Sequence, residues 1–282
     1  MANKVFDPAK EVVHIIDDIR HYFAKNGGPD TKAVIGISGG KDSTIAATLL
    51  AMALGSDRVV GVLMPNGDQK DITDAREVCE MLGIKSYTIN IKYTVASFIE
   101  DIERNTDLLP NDRVYTNMPA RARMTTLYNV AAMVGGRVIN TGNASEAYVG
   151  YTTKYGDLAG DYAVLRGYYV TEIYKIGDAI KWYDEQGVEH RIPEHLVRKA
   201  PADGMSGLTD EDNMGFTYAE LDAYLLDGWT PPADVLHNIL ERNRRNKHKE
   251  VINLPHPYAI TRPFKNKHGG CFELLSPFGN DD

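Results

Sequence analysis

The feature that most constrains this sequence is a repeated order of apolar segment, glycine-containing turn and helical segment in its first half. Ala33 to Ile37 is a compact apolar run, Ser38 to Ser43 is a turn with two glycines, and Thr44 to Leu54 is predicted as a helix. The same order recurs from Val59 to Leu82. Strands that alternate with helices pair in parallel. We therefore expect an α/β fold whose doubly wound, mainly parallel sheet is flanked by helices, with a ligand crevice at the carboxyl ends of the strands.

The remaining elements are predicted from the spacing of apolar residues. A first amphipathic helix is indicated between Val12 and Phe23. Further strands are expected at residues 84–91 and 137–141, and further helices at 95–103, 120–134, 171–186, 218–226 and 234–243. The segment from Gly142 to Gly167 has little periodicity and is predicted as a long loop, and such loops usually carry function.

Length and composition restrict the class of protein. A chain of 282 residues fits one large α/β domain, residues 1–282. Its net charge of −8, from 31 basic and 39 acidic residues, disfavours nucleic acid as a partner. No apolar run approaches the roughly 20 residues of a membrane span, and residues 1–11 lack a signal-peptide pattern, so we expect no membrane association and a cytoplasmic location. The two cysteines, Cys79 and Cys271, lack the spacing of zinc ligands.

The segment from Gly36 to Thr44, GISGGKDST, joins a predicted strand to a predicted helix. Glycines let the backbone approach an anion closely, and a helix N-terminus offers unpaired N–H groups and partial positive charge. Ser38 and Ser43 add hydroxyl donors, so the segment is suited to a pyrophosphate group. Asp42 would repel that anion unless a cation lies between them, which indicates Mg²⁺. The alternative interpretation is a glycine-rich turn with a Ser or Asp helix cap. The segment is not a Walker A motif, because the GxxxxGK(S/T) spacing is absent.

This nonapeptide is similar to the PP-loop, SGGxDS, of the ATP pyrophosphatases, which cleave ATP between its α and β phosphates. Later parts of the sequence resemble the NAD synthetases of that superfamily, in this order: residues 117–128, NMPARARMTTLY; residues 141–161, TGNASEAYVGYTTKYGDLAGD; residues 215–224, GFTYAELDAY; and the pair His248-Lys249. The resemblance spans nearly the whole chain. It implies an ammonia-dependent NAD synthetase with an adenine nucleotide alpha-hydrolase-like fold.

The resemblance also implies roles for individual residues. The ATP site would comprise Gly36, Ile37, Ser38, Gly39, Gly40, Lys41, Asp42, Ser43 and Thr141. The catalytic group would comprise Ser38, Lys41, Asp42 and Glu146, with Asp42 and Glu146 as the Mg²⁺ ligands. The substrate dinucleotide would be held by Arg121, Arg123, Lys154, Asp161, His248 and Lys249. Taken alone, Glu146 on a polar loop would be a solvated surface acid, and the run from Glu241 to Lys249 would be a solvated helix face.

The match departs from the family at two ATP contacts. Where better-known members have a lysine after the TKYGD loop, this sequence has Tyr169 to Ile173, with no lysine before Lys175. A threonine of the family's PTAD stretch is replaced around Pro201 to Gly204, where Ser206 and Thr209 are the nearest hydroxyls. Loss of a cationic contact would weaken stabilisation of transition-state charge unless Lys41, Lys175 or another residue substitutes.

As the resemblance implies, the nicotinate carboxylate of deamido-NAD attacks the α-phosphorus of Mg-ATP, and ammonia then displaces AMP from the adenylated intermediate. No segment resembles a glutaminase, so free ammonia is the expected nitrogen source, and a homodimer is implied. One alternative is another PP-loop ligase that amidates nicotinate mononucleotide or modifies tRNA. Against tRNA modification, the sequence has no paired catalytic cysteines. A second alternative is a nucleotide-binding sensor that has lost catalysis.

Overall fold

A parallel sheet of five strands lies at the centre of the fold. The computed structural model describes residues 5–68, 72–184, 186–198, 209–250, 252 and 254–262. The strands of this sheet are β1 Lys32–Gly36, β2 Val59–Leu63, β3 Lys85–Thr88, β4 Gly136–Asn140 and β5 Tyr162–Ala163. They pair in the order β3-β2-β1-β4-β5, all in parallel. The order of strands therefore reverses between β1 and β4, and sheets of this kind bind ligands outside the carboxyl ends of the strands at such a reversal.

Helices connect and cover the strands. They are α1 Pro8–Asn26, α2 Lys41–Leu54, α3 Ile72–Leu82, α4 Lys92–Asn105, α5 Asp112–Val134, α6 Ala144–Val149, α7 Val170–Ala179, α8 Glu194–Arg198, α9 Asp210–Met214, α10 Tyr218–Asp222 and α11 Ala233–Asn246. A small antiparallel pair, β6 Trp182–Tyr183 and β7 Glu189–His190, follows α7. None of the helices in the described ranges is long and apolar enough to cross a membrane.

Side chains along β1 alternate between two apolar cores. Ala33 and Ile35 pack with residues of α1, α2, α3, α7 and α8, whereas Val34 packs with residues of α4 and α5. Successive side chains of a strand point to opposite faces, so each face of the sheet is covered by its own helices. The doubly wound, mainly parallel fold predicted from the sequence is thereby confirmed. A third core joins α6, α7, α9, α10 and α11 through residues that include Val149, Tyr218 and Ile239.

Several element boundaries differ from the sequence predictions. The predicted long loop at 142–167 contains α6 and β5, and the helix predicted at 171–186 ends at Ala179 and is followed by β6 and β7. The helix predicted from Ala120 begins at Asp112, with Pro119 inside it. Pro119 lies beyond the first turn, where proline is readily accommodated, so it removes one backbone hydrogen bond from the helix interior. The side chain of Asn111 accepts a hydrogen bond from the Arg113 amide and caps this earlier start.

Glu11 is a buried carboxylate in the first turn of α1, with 0% of its surface exposed. Its oxygens accept hydrogen bonds from the hydroxyl of Tyr168 at 3.0 Å, from the amide of Ile260 at 3.1 Å and from the amide of Thr261 at 2.6 Å. The Thr261 hydroxyl also donates to it. A buried charge of this kind is tolerated only when it is well hydrogen-bonded. These hydrogen bonds to Glu11 therefore hold the segment around Thr261 against the first helix.

Candidate active site

The turn between β1 and α2 is held by two serine hydroxyls. Ser38 Oγ and Ser43 Oγ lie 3.0 Å apart, and the Ser38 amide donates to Ser43 Oγ at 3.2 Å. The Gly40 amide donates to Ser38 Oγ at 3.2 Å, and Gly40 is the N-cap of α2. The turn therefore places the N-terminus of a 14-residue helix at the carboxyl end of the central strand, where partial positive charge and free N–H groups favour an anion.

Gly39 is required by the geometry of this turn. Its φ of +78° is a conformation that L side chains rarely adopt. A β-carbon at this position would also lie 2.8 Å from Asp74 Cβ and 2.9 Å from the Ala75 amide nitrogen, both in α3. The glycine of the sequence motif thus allows α3 to pack directly against the turn.

Lys41 and Asp42 form a largely buried ion pair at the start of α2. Lys41 Nζ lies 2.7 Å from Asp42 Oδ2, and their side chains are 3% and 19% exposed. Burial works to lower the pKa of Lys41, but the charges of Asp42 and Glu146 outweigh it and hold the pKa above its ordinary value. Asp42 Oδ1 is buried and has no hydrogen-bond partner among the described residues. One oxygen of this carboxylate is therefore available to a ligand.

Glu146 lies near this pair, in the first turn of α6 rather than on the predicted loop. The Asn143 side chain accepts from the Glu146 amide at 2.9 Å, and Glu146 Oε2 accepts from the Asn143 amide at 3.0 Å. This reciprocal capping box fixes the Glu146 carboxyl, which is partly buried rather than a solvated surface acid. Burial, aided by the charge of Asp42, raises the pKa of Glu146 to about 8, and Lys41 opposes the rise.

The donor set of Asp42 and Glu146 fits a hard divalent cation. Both groups offer carboxylate oxygens, the ligands that Mg²⁺ prefers. A cation between them would satisfy the orphaned Asp42 Oδ1 and remove the repulsion that contributes to the raised pKa of Glu146. Across the described ranges, no group of three or more His, Cys, Asp or Glu side chains could hold a metal. The remaining ligands of a cation here would therefore come from water and from phosphate oxygens.

Thr141 follows β4 and lies beside the turn after β1. The pairing of Ile35 with Ile139 and the parallel register bring the two carboxyl ends together. The Gly142 amide donates to Asn140 Oδ1 at 2.8 Å, which turns the chain toward α6. The two halves of the predicted ATP site, 36–43 and Thr141, thus meet at the reversal of strand order.

Four of the predicted substrate residues lie together in a second cluster. Arg121 Nε donates to the Lys154 carbonyl at 3.3 Å, and Lys154 Nζ donates to the His248 carbonyl at 3.1 Å. Lys249 Nζ donates to two carbonyls of the segment 150–152, at 2.7 Å and 2.6 Å. Burial lowers the pKa of Lys249, with the charge of Asp157 opposing it. The C-terminal His-Lys pair is therefore packed against the TKYGD segment, although it is distant in sequence.

The other two predicted substrate residues are engaged elsewhere in the fold. Arg123 Nε donates to the Met64 carbonyl at 3.1 Å, after the end of β2. Asp161 Oδ2 accepts from the Val138 amide at 2.7 Å, and its Oδ1 accepts from the Tyr128 hydroxyl at 3.4 Å. Substrate contacts by Arg123 and Asp161 stay predictions.

The structure places side chains at the site that the sequence did not single out. The rings of Tyr174 and Tyr218 lie with their centroids 5.8 Å from Lys41 Nζ. A β-carbon on Gly142 would be 3.8 Å from Glu146 Oε2 and 4.0 Å from Arg166 Nη1, so the guanidinium of Arg166 flanks the same glycine as the Glu146 carboxyl. In the sequence, these residues could have been indicated only by their position. Tyr218 falls within segment 215–224, and Arg166 falls within segment 142–167.

The structure places the candidate substitutes for the two altered ATP contacts in different parts of the fold. Lys175 Nζ lies 5.9 Å from the ring centroid of Phe6, at the start of α1, whereas Lys41 lies in the site. The Thr209 side chain caps α9 by accepting from the Asp212 amide at 3.1 Å. The stretch Pro201 to Gly204, Ser206 and Cys271 lie outside the described residues.

Comparison with known proteins agrees with this geometry. The family model "NAD synthase" matches residues 11–254. The NH(3)-dependent NAD(+) synthetase of Pyrococcus horikoshii is 40% identical over 223 residues, which is 79% of each chain. Among solved structures, the NMN synthetase of Francisella tularensis matches with a TM-score of 0.77 and 32% identity over 89% of this chain and 98% of that one. The NH3-dependent NAD synthetase of Campylobacter jejuni matches with a TM-score of 0.68 and 26% identity, over 89% and 98% of the chains. The chain belongs to the NAD synthase family.

Proposed function

We propose that this chain is an ammonia-dependent NAD synthetase, a carbon-nitrogen ligase that amidates deamido-NAD at the expense of ATP. The observation that carries the proposal is the group of Lys41, Asp42 and Glu146 at the strand reversal, in a chain 40% identical to an NH(3)-dependent NAD(+) synthetase. The products are NAD, AMP and pyrophosphate.

In the first step a carboxylate oxygen of the nicotinate group bonds to the α-phosphorus of ATP, and the bond from that phosphorus to pyrophosphate breaks. In the second step ammonia bonds to the activated carbonyl carbon, and the bond to AMP breaks. The first step brings two anions together, so the positive end of α2 and the Lys41 ammonium stabilise the charge that moves onto pyrophosphate. The protein residues bind and orient, and no covalent nucleophile is needed.

Mg²⁺ would be held by Asp42 and Glu146 together with phosphate oxygens. When bound, such an ion neutralises phosphate charge and polarises the phosphorus. The unpartnered Asp42 Oδ1 and the raised pKa of Glu146 support this assignment. Arg121, Lys154, His248 and Lys249 would hold the dinucleotide, because basic side chains suit its phosphate groups.

The test is incubation of the purified protein with Mg-ATP, deamido-NAD and ammonium. We expect NAD, AMP and pyrophosphate in equal amounts, and little product when glutamine replaces ammonium. Production of AMP and pyrophosphate without NAD would leave the adenylating chemistry intact but point to another acceptor. Binding of ATP without any AMP would favour a nucleotide sensor and contradict the proposal.

Amidation of nicotinate mononucleotide is a second candidate, because the NMN synthetase of Francisella tularensis superposes with a TM-score of 0.77. The same assay with the mononucleotide separates the two. We expect a higher kcat/KM for the dinucleotide, since the 40% identical relative is named for NAD(+) synthesis. A strong preference for the mononucleotide would overturn the choice.

We further propose a homodimer that forms through α4 and the start of α5. Val95 is the buried residue of the 14-residue helix α4. Apolar side chains of α4 and of the residues that follow it are exposed, namely Tyr93 at 81%, Phe98 at 50%, Leu109 at 84% and Tyr115 at 54%. Several large apolar side chains exposed on neighbouring elements are a feature of protein interfaces. A second copy of the chain could cover the face in a twofold arrangement, in which the same patch serves both subunits.

Substitution of Phe98 and Leu109 by glutamate is expected to convert the dimer to a monomer at micromolar concentration. Burial of two carboxylates in the centre of an apolar interface carries a large desolvation penalty. Light scattering after size-exclusion chromatography measures the mass. Val13→Glu, a 59% exposed position on α1, is the matched control and should remain dimeric. A monomeric wild-type chain would contradict the proposal.

A further inference from the structure

Arg166 lies between β5 and α7 with its guanidinium beside the catalytic carboxyl group. Its Nη1 is 4.0 Å from the β-carbon position of Gly142, and Glu146 Oε2 is 3.8 Å from the same point. Burial lowers the pKa of Arg166, and the charge of Glu146 opposes that effect. The guanidinium is therefore largely withdrawn from water at the carboxyl end of β4.

The Arg166 side chain has no ion pair with any residue of the described ranges. Two other buried cations of the described residues have carboxylate partners, whereas Arg123 donates only to the Met64 carbonyl. Lys41 pairs with Asp42 at 2.7 Å, and Arg262 Nε donates to Glu172 at 2.8 Å. A largely buried guanidinium carries five donors and is costly to leave unpaired. Its position thus indicates an anionic partner that is supplied by a ligand.

The stretch that follows Arg166 contains no lysine before Lys175. Val170 and Thr171 occupy the first turn of α7, and the next lysine, Lys175, contacts Phe6 instead. The Thr171 amide donates to Asp222 at 2.8 Å. Lys175 therefore lies away from Gly142, whereas the Arg166 guanidinium approaches this glycine from the preceding turn.

We propose that Arg166 binds a phosphate oxygen of ATP. The inference rests on the proposed function and adds a residue to its ATP site. Gly142, which the guanidinium flanks, directly follows Thr141 beside the PP-loop, whereas the basic cluster assigned to the dinucleotide surrounds residues 150–155. The planar fork of arginine suits two oxygens of one phosphate. The proposed ligand of Arg166 is therefore ATP rather than the dinucleotide.

Isothermal titration with Mg²⁺ and α,β-methylene-ATP, which is not cleaved between those phosphates, tests the contact without turnover. We expect Arg166→Gln to weaken binding of the analogue roughly 10- to 100-fold, the range for loss of a charge-assisted hydrogen bond. Arg166→Lys keeps the charge but loses the fork, so an intermediate loss is expected. Deamido-NAD should bind with unchanged affinity. Arg137→Gln is the control, because Arg137 lies at the other end of β4 and donates to the Asn26 carbonyl.

Analogue affinity within about twofold of wild type in folded Arg166→Gln would overturn the proposal, and so would an equal loss for deamido-NAD. Circular dichroism establishes that each variant is folded. If the glutamine variant does not fold, Arg166→Lys decides: a several-fold loss supports the contact, and wild-type affinity refutes it. NAD production by the wild-type chain tests the proposed function separately, so a productive enzyme whose variant binds the analogue normally refutes the role of Arg166 alone.

Discussion

Asp42→Asn is expected to lower kcat/KM for NAD formation on the order of 1,000-fold, the upper range for loss of one preorganised electrostatic group. The substitution keeps the shape of the side chain and removes its charge. It deprives the buried Lys41 ammonium of its partner at 2.7 Å, and it replaces an oxygen suited to Mg²⁺ with an amide. Steady-state kinetics over a range of Mg²⁺ concentrations measures the effect, and the concentration for half-maximal rate should rise.

Asp178→Asn is the control for this experiment. Asp178 pairs with Arg198 at the surface, where the two side chains are 53% and 48% exposed. An exposed ion pair contributes little, so the control should keep wild-type kinetics. A folded Asp42→Asn enzyme that retained more than about a tenth of the wild-type kcat/KM would contradict the assignment of Asp42 as a ligand of the Mg²⁺ that binds the ATP phosphates.

Glu11→Ala is expected to destabilise the fold by about 3–5 kcal/mol, a large share of the stability of a typical domain. The substitution removes the acceptor of the Ile260 and Thr261 amides and leaves the buried Tyr168 hydroxyl with only the Tyr258 carbonyl, at 3.5 Å, and each donor left unsatisfied in the interior costs about 1–3 kcal/mol. Urea unfolding followed by circular dichroism gives the free energy. Asp17→Ala, an exposed acid of the same helix, should change stability by less than about 0.5 kcal/mol. Equal stability of the two variants would show that the Glu11 network is dispensable.

The sequence predicts those parts of the fold that local pattern controls. The strand, turn and helix from Lys32 to Leu54 are confirmed because apolar periodicity and glycine position act over a few residues. α6 was missed because six residues are too few to show periodicity, although Asn143 and Glu146 have the spacing of a capping box. The two-residue strands β5, β6 and β7 are likewise too short to show alternation.

The candidate site, like the fold, was predicted from the sequence only in part. Asp42 and Glu146 were predicted from motifs, and the structure brings them together. The burial of Lys41, the capping contact that orients Glu146 and the approach of Arg166 to Gly142 could not be predicted, because each depends on elements that meet only in the folded chain. For Asp161 the motif predicted a substrate contact, which stays a prediction, and the fold adds a hydrogen bond from the Val138 amide that the sequence did not indicate.

The hydrogen bonds of Glu11 also bear on the order in which the chain can fold during synthesis. Thr261 lies 250 residues after Glu11, so the ribosome makes α1 long before the amide and hydroxyl that satisfy its buried carboxylate. Until then, docking α1 fully onto the sheet would bury the charge with the Tyr168 hydroxyl as its partner but without the amides and hydroxyl of residues 260 and 261. We therefore expect the first helix to be among the last to reach its final packing, and we expect α1 to be held loosely in a nascent chain that stops short of Thr261, where chaperones can reach its apolar face.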